Sequence, residues 1–178
     1  SGLPEMLLNA ELNKAEPLPN EVVNKDRTFH ILPYNFAQSG FELKFLQAAL
    51  EFDELKRRNL EIYFNGEKHL TEFRIDCYAR NGGGNWKRVG LYTPDFLLIE
   101  RRDGKIYRIL IIETKGSGFQ DQKEFVLRRK FVETEFIKQN NEKFGYAKFH
   151  YLFLLDSDGM TKNLADLKDE VRSFFRVE

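Results

Sequence analysis

Three ionisable residues near the middle of the chain have the types and the spacing of a hydrolytic site. Asp95 follows a proline just before the apolar run FLLI, while Glu113 and Lys115 follow the apolar run ILII. Charges at the end of a buried strand are costly to desolvate unless they pair with one another or hold a metal ion. The sequence alone therefore leaves open a structural ion pair and a metal site.

Two carboxylates and a lysine can supply the chemistry of phosphate-ester hydrolysis. Asp95 and Glu113 offer the oxygen ligands that Mg²⁺ prefers, and the cation keeps further positions for water and a phosphate oxygen. Such a cation acidifies the attacking water and neutralises charge on the phosphate oxygens. Lys115 shares a strand face with Glu113 and can hydrogen-bond the water or a non-bridging oxygen. A simple ion pair would not explain why Asp95 joins the other two.

A hairpin must position these residues. We predict strands over residues 89–101 and 105–114, joined at Asp103 and Gly104, because Asp-Gly between two apolar runs is a strong hairpin signal. The predicted hairpin places the Pro-Asp pair and the Glu-Thr-Lys at the same end of one sheet.

The register of that hairpin decides whether the site exists. A two-residue turn would pair Arg102 with Lys105 and would put Asp95 and Glu113 on opposite faces. We therefore predict a three-residue turn with Gly104 left-handed, or a bulge, because either one shifts the register by one residue.

The other elements are predicted from periodicity. The stretch SGFELKFLQAALEFDELKRR has apolar residues three to four apart and reads as a helix, with Ser39 as its cap. LEIYFN and LTEFRIDCYAR alternate apolar and polar residues, which predicts strands. NGGGNW is predicted to be a hairpin connection, because it lacks the Lys-Ser/Thr and the following helix of a phosphate-binding loop. A long helix from Phe119 to about Asn140, a buried strand KFHYLFLLD and a closing helix over 164–175 follow.

Composition indicates one ordinary domain. The 178 residues can bury one core, and no apolar run approaches the roughly 20 residues that span a bilayer. A single cysteine, Cys77, excludes a disulfide framework and favours a reducing compartment, so we expect a cytoplasmic protein.

The chain is predicted to have an N-terminal arm and one domain. Residues 1–38 show no sustained apolar periodicity, which is typical of a linker or N-terminal arm before a domain over 39–178. The opening Ser-Gly, ahead of Met6, suggests a domain cut from a larger protein.

Charge is balanced overall but not locally. The chain has 28 basic and 28 acidic residues, so it lacks the global basic field of many nucleic-acid binders. Between residues 101 and 130 there are nine basic residues (101, 102, 105, 108, 115, 123, 128, 129 and 130) against four acidic ones (103, 113, 121 and 124). This excess surrounds the candidate site, where it forms either a solvated surface or a strip for phosphates.

The motifs resemble a known nuclease superfamily. YTPDF followed by IIETKGS is similar to the PD-(D/E)XK nucleases, and specifically to the endonuclease domain at the C-terminal end of the restriction subunit of type III restriction enzymes. In that domain a Gly-x-Tyr-x-Pro-Asp strand leads into Glu-Thr-Lys-Gly. The matching residues are Gly90, Tyr92, Pro94, Asp95, Glu113, Thr114, Lys115, Gly116 and Ser117. The predicted elements from Ser39 onward fit the superfamily's core, whereas the resemblance does not extend to the first 38 residues.

The resemblance implies a fold, an activity and a site. The implied fold is α/β and restriction-endonuclease-like, with a central mixed sheet of four or more strands flanked by helices. The implied activity is Mg²⁺-dependent cleavage of DNA, with Mn²⁺ as a substitute. Asp95, Glu113 and the backbone carbonyl of Thr114 would be metal ligands, and Lys115 would be the catalytic lysine.

Many members of the superfamily add a glutamate from the first helix. Glu42 is the first candidate here and Glu51 the second, although either could be a solvated helix glutamate. The implied partners are DNA, a methylation subunit and upstream helicase domains, with no membrane. Two alternatives stay open: a non-cleaving DNA-binding or interaction module of the same fold in a helicase-containing assembly, and a repair or junction nuclease.

Several other residues carry weaker signals. Trp86 and Tyr92 could stack on bases or pack within the hairpin. The run at residues 128–130, Arg-Arg-Lys, could contact phosphates or form a solvated helix face. The three histidines lack metal-ligand spacing and read as surface or hydrogen-bonded residues: His30, His69 and His150.

Overall fold

The computed structural model describes residues 40–65, 73–116 and 122–176. The first elements are α1 (Gly40–Leu50), α2 (Asp53–Arg57) and β1 (Glu61–Phe64). They are followed by β2 (Ile75–Arg80), β3 (Trp86–Tyr92), β4 (Phe96–Arg102) and β5 (Lys105–Lys115). The remaining elements are α3 (Lys123–Phe131), a π-helical turn (Val132–Phe136), α4 (Ile137–Phe144), β6 (Phe149–Leu155), a 3₁₀ turn (Asp156–Asp158) and α5 (Met160–Phe174).

The protein has a mixed α/β fold around a four-stranded sheet. The strand order is β1-β4-β5-β6, and β2 and β3 form a separate two-stranded hairpin. β1 and β5 run antiparallel to β4, whereas β6 runs parallel to β5. A parallel pair needs a long crossover, and the continuous helical segment from α3 to α4 provides it. The prediction of a mixed sheet of four or more strands flanked by helices is confirmed.

Helices cover both faces of the sheet, each over its own hydrophobic core. The first core joins α1, α2 and α5 to one face, where Phe45, Phe96 and Leu110 are almost completely buried. The second core lies on the other face, where Ile111 packs with Phe125 of α3 and Val132 of the π-helical turn. Tyr92 and Cys77 of the β2–β3 hairpin belong to this second core. The hairpin therefore stands on the same side of the sheet as α3.

The turn between β4 and β5 has two residues. Arg102 pairs with Lys105, and the backbone of both residues between them is left-handed, with φ of 50° at Asp103 and 74° at Gly104. Two left-handed residues give the hairpin turn whose twist matches that of the strands, which is why Asp-Gly is favoured there. The left-handed Gly104 is as predicted, while the three-residue turn is wrong.

A bulge in β5 supplies the register shift instead. Arg101 pairs with Ile106, but the next residue of β4, Glu100, pairs with Arg108. Tyr107 is therefore an extra residue that has no partner across the ladder. From this point to the end of the hairpin, every pair is displaced by one residue, as the bulge alternative predicted.

The predicted strand over residues 89–101 is wrong in one respect, because it is two strands. β3 ends at Tyr92, β4 begins at Phe96, and the segment between them carries the chain from the hairpin into the sheet. Pro94 lies in that segment and has no N–H to donate to a ladder, which accounts for the interruption. The Gly-rich segment 82–84 joins β2 to β3, so the prediction of a hairpin connection there is confirmed.

Helix boundaries also differ from the periodic pattern. The first predicted helix is broken at Phe52, whose extended backbone (φ −73°, ψ 108°) separates α1 from α2. Two acidic residues then open α2, where they favour a helix start. The long helix is described from Lys123 and runs beyond its predicted end to Phe144, while the closing helix begins at Met160 rather than at residue 164. Ser39 and residues 119–121 lie outside the described residues.

No helix in the described ranges has both the length and the apolar character needed to cross a bilayer.

Leu110→Ala and Leu91→Ala should have very different effects on stability. Leu110 is fully buried in the first core, whereas Leu91 of β3 is 41% exposed. Removing the buried side chain leaves a cavity, and we expect the free energy of unfolding to fall by about 2 to 5 kcal/mol. The exposed substitution should change it by no more than about 0.5 kcal/mol. Urea denaturation measures both; equal losses would contradict the assignment of this core.

Candidate active site

The shifted register brings the three predicted residues together. Phe96 pairs with Ile112, and one further step along the ladder places Asp95 opposite Glu113. Residues directly opposite each other on neighbouring strands point to the same face. Lys115 lies two residues beyond Glu113 and so shares that face. All three stand at the end of β5, on the side of the sheet that α3 covers.

Short polar contacts hold this cluster. The Nζ of Lys115 lies 2.5 Å from Oε1 of Glu113. Oδ2 of Asp95 accepts two hydrogen bonds from Thr114, one from its backbone N–H at 2.8 Å and one from its hydroxyl at 2.7 Å. Glu113 is only 2% exposed and Asp95 9%, while a quarter of the Lys115 side chain is exposed. The carboxylates are therefore buried, and Lys115 extends from them toward solvent.

The cluster contains more acid than base, but burial has the largest effect on the pKa of each of its three groups. Burial raises the pKa of Glu113 to about 8, the charge of Asp95 adds to the rise, and Lys115 and Tyr92 oppose it. Burial also raises the pKa of Asp95, against the opposing effects of Lys115 and Thr114. Burial alone would lower the pKa of Lys115, but the two carboxylates outweigh it and raise that pKa. One ammonium thus faces two carboxyl groups that compete for it.

Two tyrosines complete the surroundings of Glu113. The Tyr92 hydroxyl donates to Oε2 of Glu113 at 2.7 Å, and it lies 3.0 Å from the Tyr151 hydroxyl. Burial and the charge of Glu113 raise the pKa of both phenols, so they stay protonated. Tyr92 is 3% exposed, which confirms the packing alternative and leaves no face for a base. Tyr151 was not predicted, because its position in an otherwise apolar strand gives no sequence signal.

Asn65 fixes the backbone that carries Asp95. Its N–H donates to the carbonyl of Asp95 at 2.7 Å, and its side-chain amide donates to the carbonyl of Pro94 at 3.0 Å. The same amide group exchanges two hydrogen bonds with the backbone of Phe73, just before β2. Asn65 is 4% exposed and was also missed, since an asparagine after a strand commonly indicates a turn.

An open pocket of about 430 Å³ lies beside the cluster. It is bounded by the beginning of α1, the beginning of α3, and the ends of β5 and β6. Lys115 forms part of its wall, with its ammonium 4.9 Å from the centre of the Phe125 ring. The other charged side chains of the wall are Glu42, Arg128 and Asp156. Arg128 belongs to the basic run that was predicted to surround the site, whereas Asp156 was not predicted, because only the folded chain brings it to β5.

The structure distinguishes between the two candidate helix glutamates. Glu42 lies in the first turn of α1, lines the pocket, and its charge contributes to the raised pKa of Lys115. Glu51 lies in the exposed turn after α1 and does not line the pocket. Glu42 is therefore brought to the site and Glu51 is not.

The residues of the cluster fit a hard divalent cation. Among residues 40–65, 73–116 and 122–176, no three His, Cys, Asp or Glu side chains group closely enough to hold a metal ion by themselves. Mg²⁺ does not require such a cage, because it commonly takes one or two carboxylates and completes its shell with water and substrate phosphate. Asp95 and Glu113 are two carboxylates whose mutual repulsion a cation would relieve. The Thr114 carbonyl belongs to the residue that directly follows Glu113 and offers another oxygen ligand.

The residues with weaker sequence signals make ion-pair and packing contacts within the protein. His150 pairs with Glu170 at 2.8 Å, as expected for a hydrogen-bonded surface histidine, while His30 and His69 lie outside the described residues. Cys77 is buried, and burial raises the pKa of its thiol to about 11. Arg129 lies over the Phe153 ring at 3.7 Å and pairs with Glu133, so it belongs to the packing of α3 against β6.

Comparison of the chain with protein-family models, with curated proteins and with solved structures found no match.

The metal-free domain should lose stability as the pH rises. The pKa of Glu113 is about 8 when folded and near its usual 4.5 when unfolded, so folding takes up a proton between these values. The free energy of unfolding should therefore fall from about pH 4.5 to about pH 8 and then level off. Glu113→Gln should flatten this profile and raise the melting temperature at pH 8, whereas Glu142→Gln on exposed α4 should not. Thermal melts in EDTA measure this; identical slopes for the parent and Glu113→Gln would contradict it.

Proposed function

We propose that this chain is a Mg²⁺-dependent endonuclease domain that hydrolyses DNA phosphodiester bonds. The observation that carries the proposal is the meeting of Asp95, Glu113 and Lys115 at one end of the sheet, beside an open pocket. The chain places two acids and a base there at considerable desolvation cost, although a well-packed apolar cluster would be at least as stable. A functional requirement accounts for that cost better than stability does.

Each residue of the cluster has a role in this chemistry. When bound, Mg²⁺ would supply an acidified water and positive charge beside the phosphate, held by Asp95, Glu113 and the carbonyl of Thr114. Lys115 lines the pocket and can donate a hydrogen bond to the attacking water or to a non-bridging phosphate oxygen. Tyr92 holds the Glu113 carboxyl group, and Asn65 holds the backbone of Asp95, so these two are positioning residues.

The fold supports the finer assignment that the sequence motifs suggest. In this proposal the mixed sheet, with the acids on adjacent strands and a helix on each face, is a restriction-endonuclease-like core. The domain would come from the restriction subunit of a type III restriction enzyme and would act in the cytoplasm. Its partners would be DNA, a methylation subunit that reads the site, and upstream helicase domains that translocate. The support is the order of the elements and the residues of the two motifs.

One observation favours a second candidate, a non-cleaving DNA-binding or interaction module of the same fold. Lys115 is already paired with Glu113 at 2.5 Å, and the part of the chain that the structure describes contains no group of three acids. A domain that keeps the Lys115–Glu113 ion pair and binds no metal would have this arrangement of side chains. The two candidates differ in whether the carboxylates bind a cation and whether the chain cuts DNA.

Substitutions in the cluster should separate metal binding from cleavage. Lys115→Ala should keep the fold and the Mg²⁺ affinity but reduce DNA cleavage at least 100-fold, because it removes a donor and no ligand. Asp95→Ala and Glu113→Ala should lose both, because they remove ligands. Lys105→Ala, at the exposed opposite end of β5, is the matched control and should cut like the parent.

Calorimetric titration with Mg²⁺ and cleavage of plasmid DNA are the two measurements. Equal Mg²⁺ affinity in Glu113→Ala and the parent would refute the ligand assignment. Metal binding without cleavage under any condition would favour the non-cleaving module.

The isolated chain should be a weak and unspecific nuclease. Non-specific DNA affinity comes mainly from neutralised phosphates, and a chain with 28 basic and 28 acidic residues offers only a local basic surface. We expect slow nicking of supercoiled plasmid at millimolar Mg²⁺ or Mn²⁺, with no preferred sequence and with strong inhibition by salt. The comparison is between low and physiological salt, beside Lys115→Ala. Cutting at one defined sequence, or tight binding at high salt, would indicate an autonomous nuclease instead.

A further inference from the structure

A second pocket lies between the β2–β3 hairpin and α3, away from the candidate active site. Its volume is about 290 Å³. The side chains that matter for its chemistry are Tyr78, Arg80 and Trp86 of the hairpin with Lys130 and Phe131 of α3, and we call them the hairpin platform.

The aromatic rings of the platform are fixed but exposed. Trp86 is 45% and Tyr78 37% exposed. Phe131 supports both, with its ring centre 6.1 Å from that of Trp86 and 5.9 Å from that of Tyr78. The Arg80 guanidinium lies 4.9 Å from the centre of the Trp86 ring. Two large aromatic groups that are held in place beside a pocket, with a cation stacked on one, form a surface suited to a planar partner.

The charge around the platform selects the kind of planar partner. Arg80 and Lys130 line the pocket and make no ion pair within the described residues, whereas Arg88 is paired with Asp76 at 2.8 Å. Glu135 is the one acid that lines the pocket. Two cations without an ion-pair partner beside aromatic rings match a nucleotide, in which a base offers a flat face and a phosphate offers negative charge.

The platform is connected to the candidate active site by two elements. β3 begins at Trp86 and ends at Tyr92, whose hydroxyl donates to Glu113. On α3, Arg128 lines the active-site pocket and donates to the carbonyl of Leu91 at 3.2 Å, and Lys130 lines the platform pocket. The seven residues of β3 span at most about 20 Å, because the β2–β3 ladder contains a bulge, and this upper limit is the length of roughly six stacked nucleotides of one DNA strand.

We propose that the hairpin platform binds an unpaired base of the DNA strand, at the far end of β3 from the phosphate at the active site. An exposed aromatic face can stack only on a base that is not already stacked within a duplex, so the favoured substrate contains a single-stranded segment. The position of DNA cleavage relative to this base rests on the proposed function, whereas the stacking of the base on the platform does not. The inference thus names the substrate class of the same site.

The test uses the fluorescence of Trp86, which is the only tryptophan in the chain. The chain is titrated in EDTA with a single-stranded oligonucleotide and with a blunt duplex of the same sequence. We expect the single strand to quench Trp86 fluorescence in a salt-sensitive way and to bind more tightly than the duplex.

Variants locate the contact. Trp86→Ala should weaken binding of the single strand, measured by anisotropy of a labelled oligonucleotide, on the order of tenfold. Trp86→Phe should restore most of the affinity, because it keeps a stacking face. Phe144→Ala is the matched control, since that ring is 44% exposed on α4 and likewise carries a cation, with the Lys148 ammonium 4.0 Å from its centre. The control should bind like the parent, and circular dichroism checks that every variant folds.

The outcomes keep this proposal separate from the proposed function. Quenching without cleavage in Mg²⁺ supports the platform and counts against the nuclease. Cleavage without quenching, or equal affinity of the parent and Trp86→Ala, overturns the platform. A Trp86 signal that changes only with protein concentration, together with a dimer in gel filtration, overturns it too, because a second copy would then be the occupant.

Discussion

One extra residue in β5 determines the relation between the two motifs of the chain. Tyr107 has no partner in the β4–β5 ladder, and the displacement it introduces extends to the end of the hairpin. Because side chains alternate between the faces of a strand, that single step places Asp95 and Glu113 on the same face rather than on opposite faces. Without it, the same residues in the same two strands would form no common site. The bulge is therefore a part of the site, although it lies at the other end of the strands.

The cluster that results is electrostatically unbalanced, and its neighbours show how the fold accommodates it. Two buried carboxyl groups share one ammonium, and hydrogen bonds from Thr114 and Tyr92 provide part of the stabilisation that water would otherwise give. Desolvation still dominates, which is why burial raises the pKa of Glu113 to about 8. A buried ion pair adds little net stability to a protein. In the proposed function, a cation and a phosphate would complete this arrangement.

The helix α3 connects this site to the rest of the surface. Its three consecutive basic residues have three different surroundings: Arg128 lines the pocket at the candidate active site, Arg129 packs on the rings of β6, and Lys130 borders the hairpin platform. The run that reads as one basic strip in the sequence is thus divided by the helical rotation of about 100° per residue. In the proposed function, only Arg128 and Lys130 of these three would be placed to meet a phosphate. A DNA strand that followed α3 would reach both pockets.

The sequence by itself determined the mixed α/β fold, the elements that flank the site, and the residue types that can hydrolyse a phosphate ester, because periodicity and turn residues are local properties. Counting residues from the turn also predicted a shift in the β4–β5 register, on the condition that Asp95 and Glu113 share a face. Only the tertiary structure decided between a bulge and a longer turn and selected Glu42 over Glu51. It also revealed Asn65 behind the backbone of Asp95 and Tyr151 beside the Tyr92 hydroxyl. These features depend on packing between segments far apart in the chain. A local sequence pattern does not specify which distant side chains come into contact when helices pack on the two faces of a sheet.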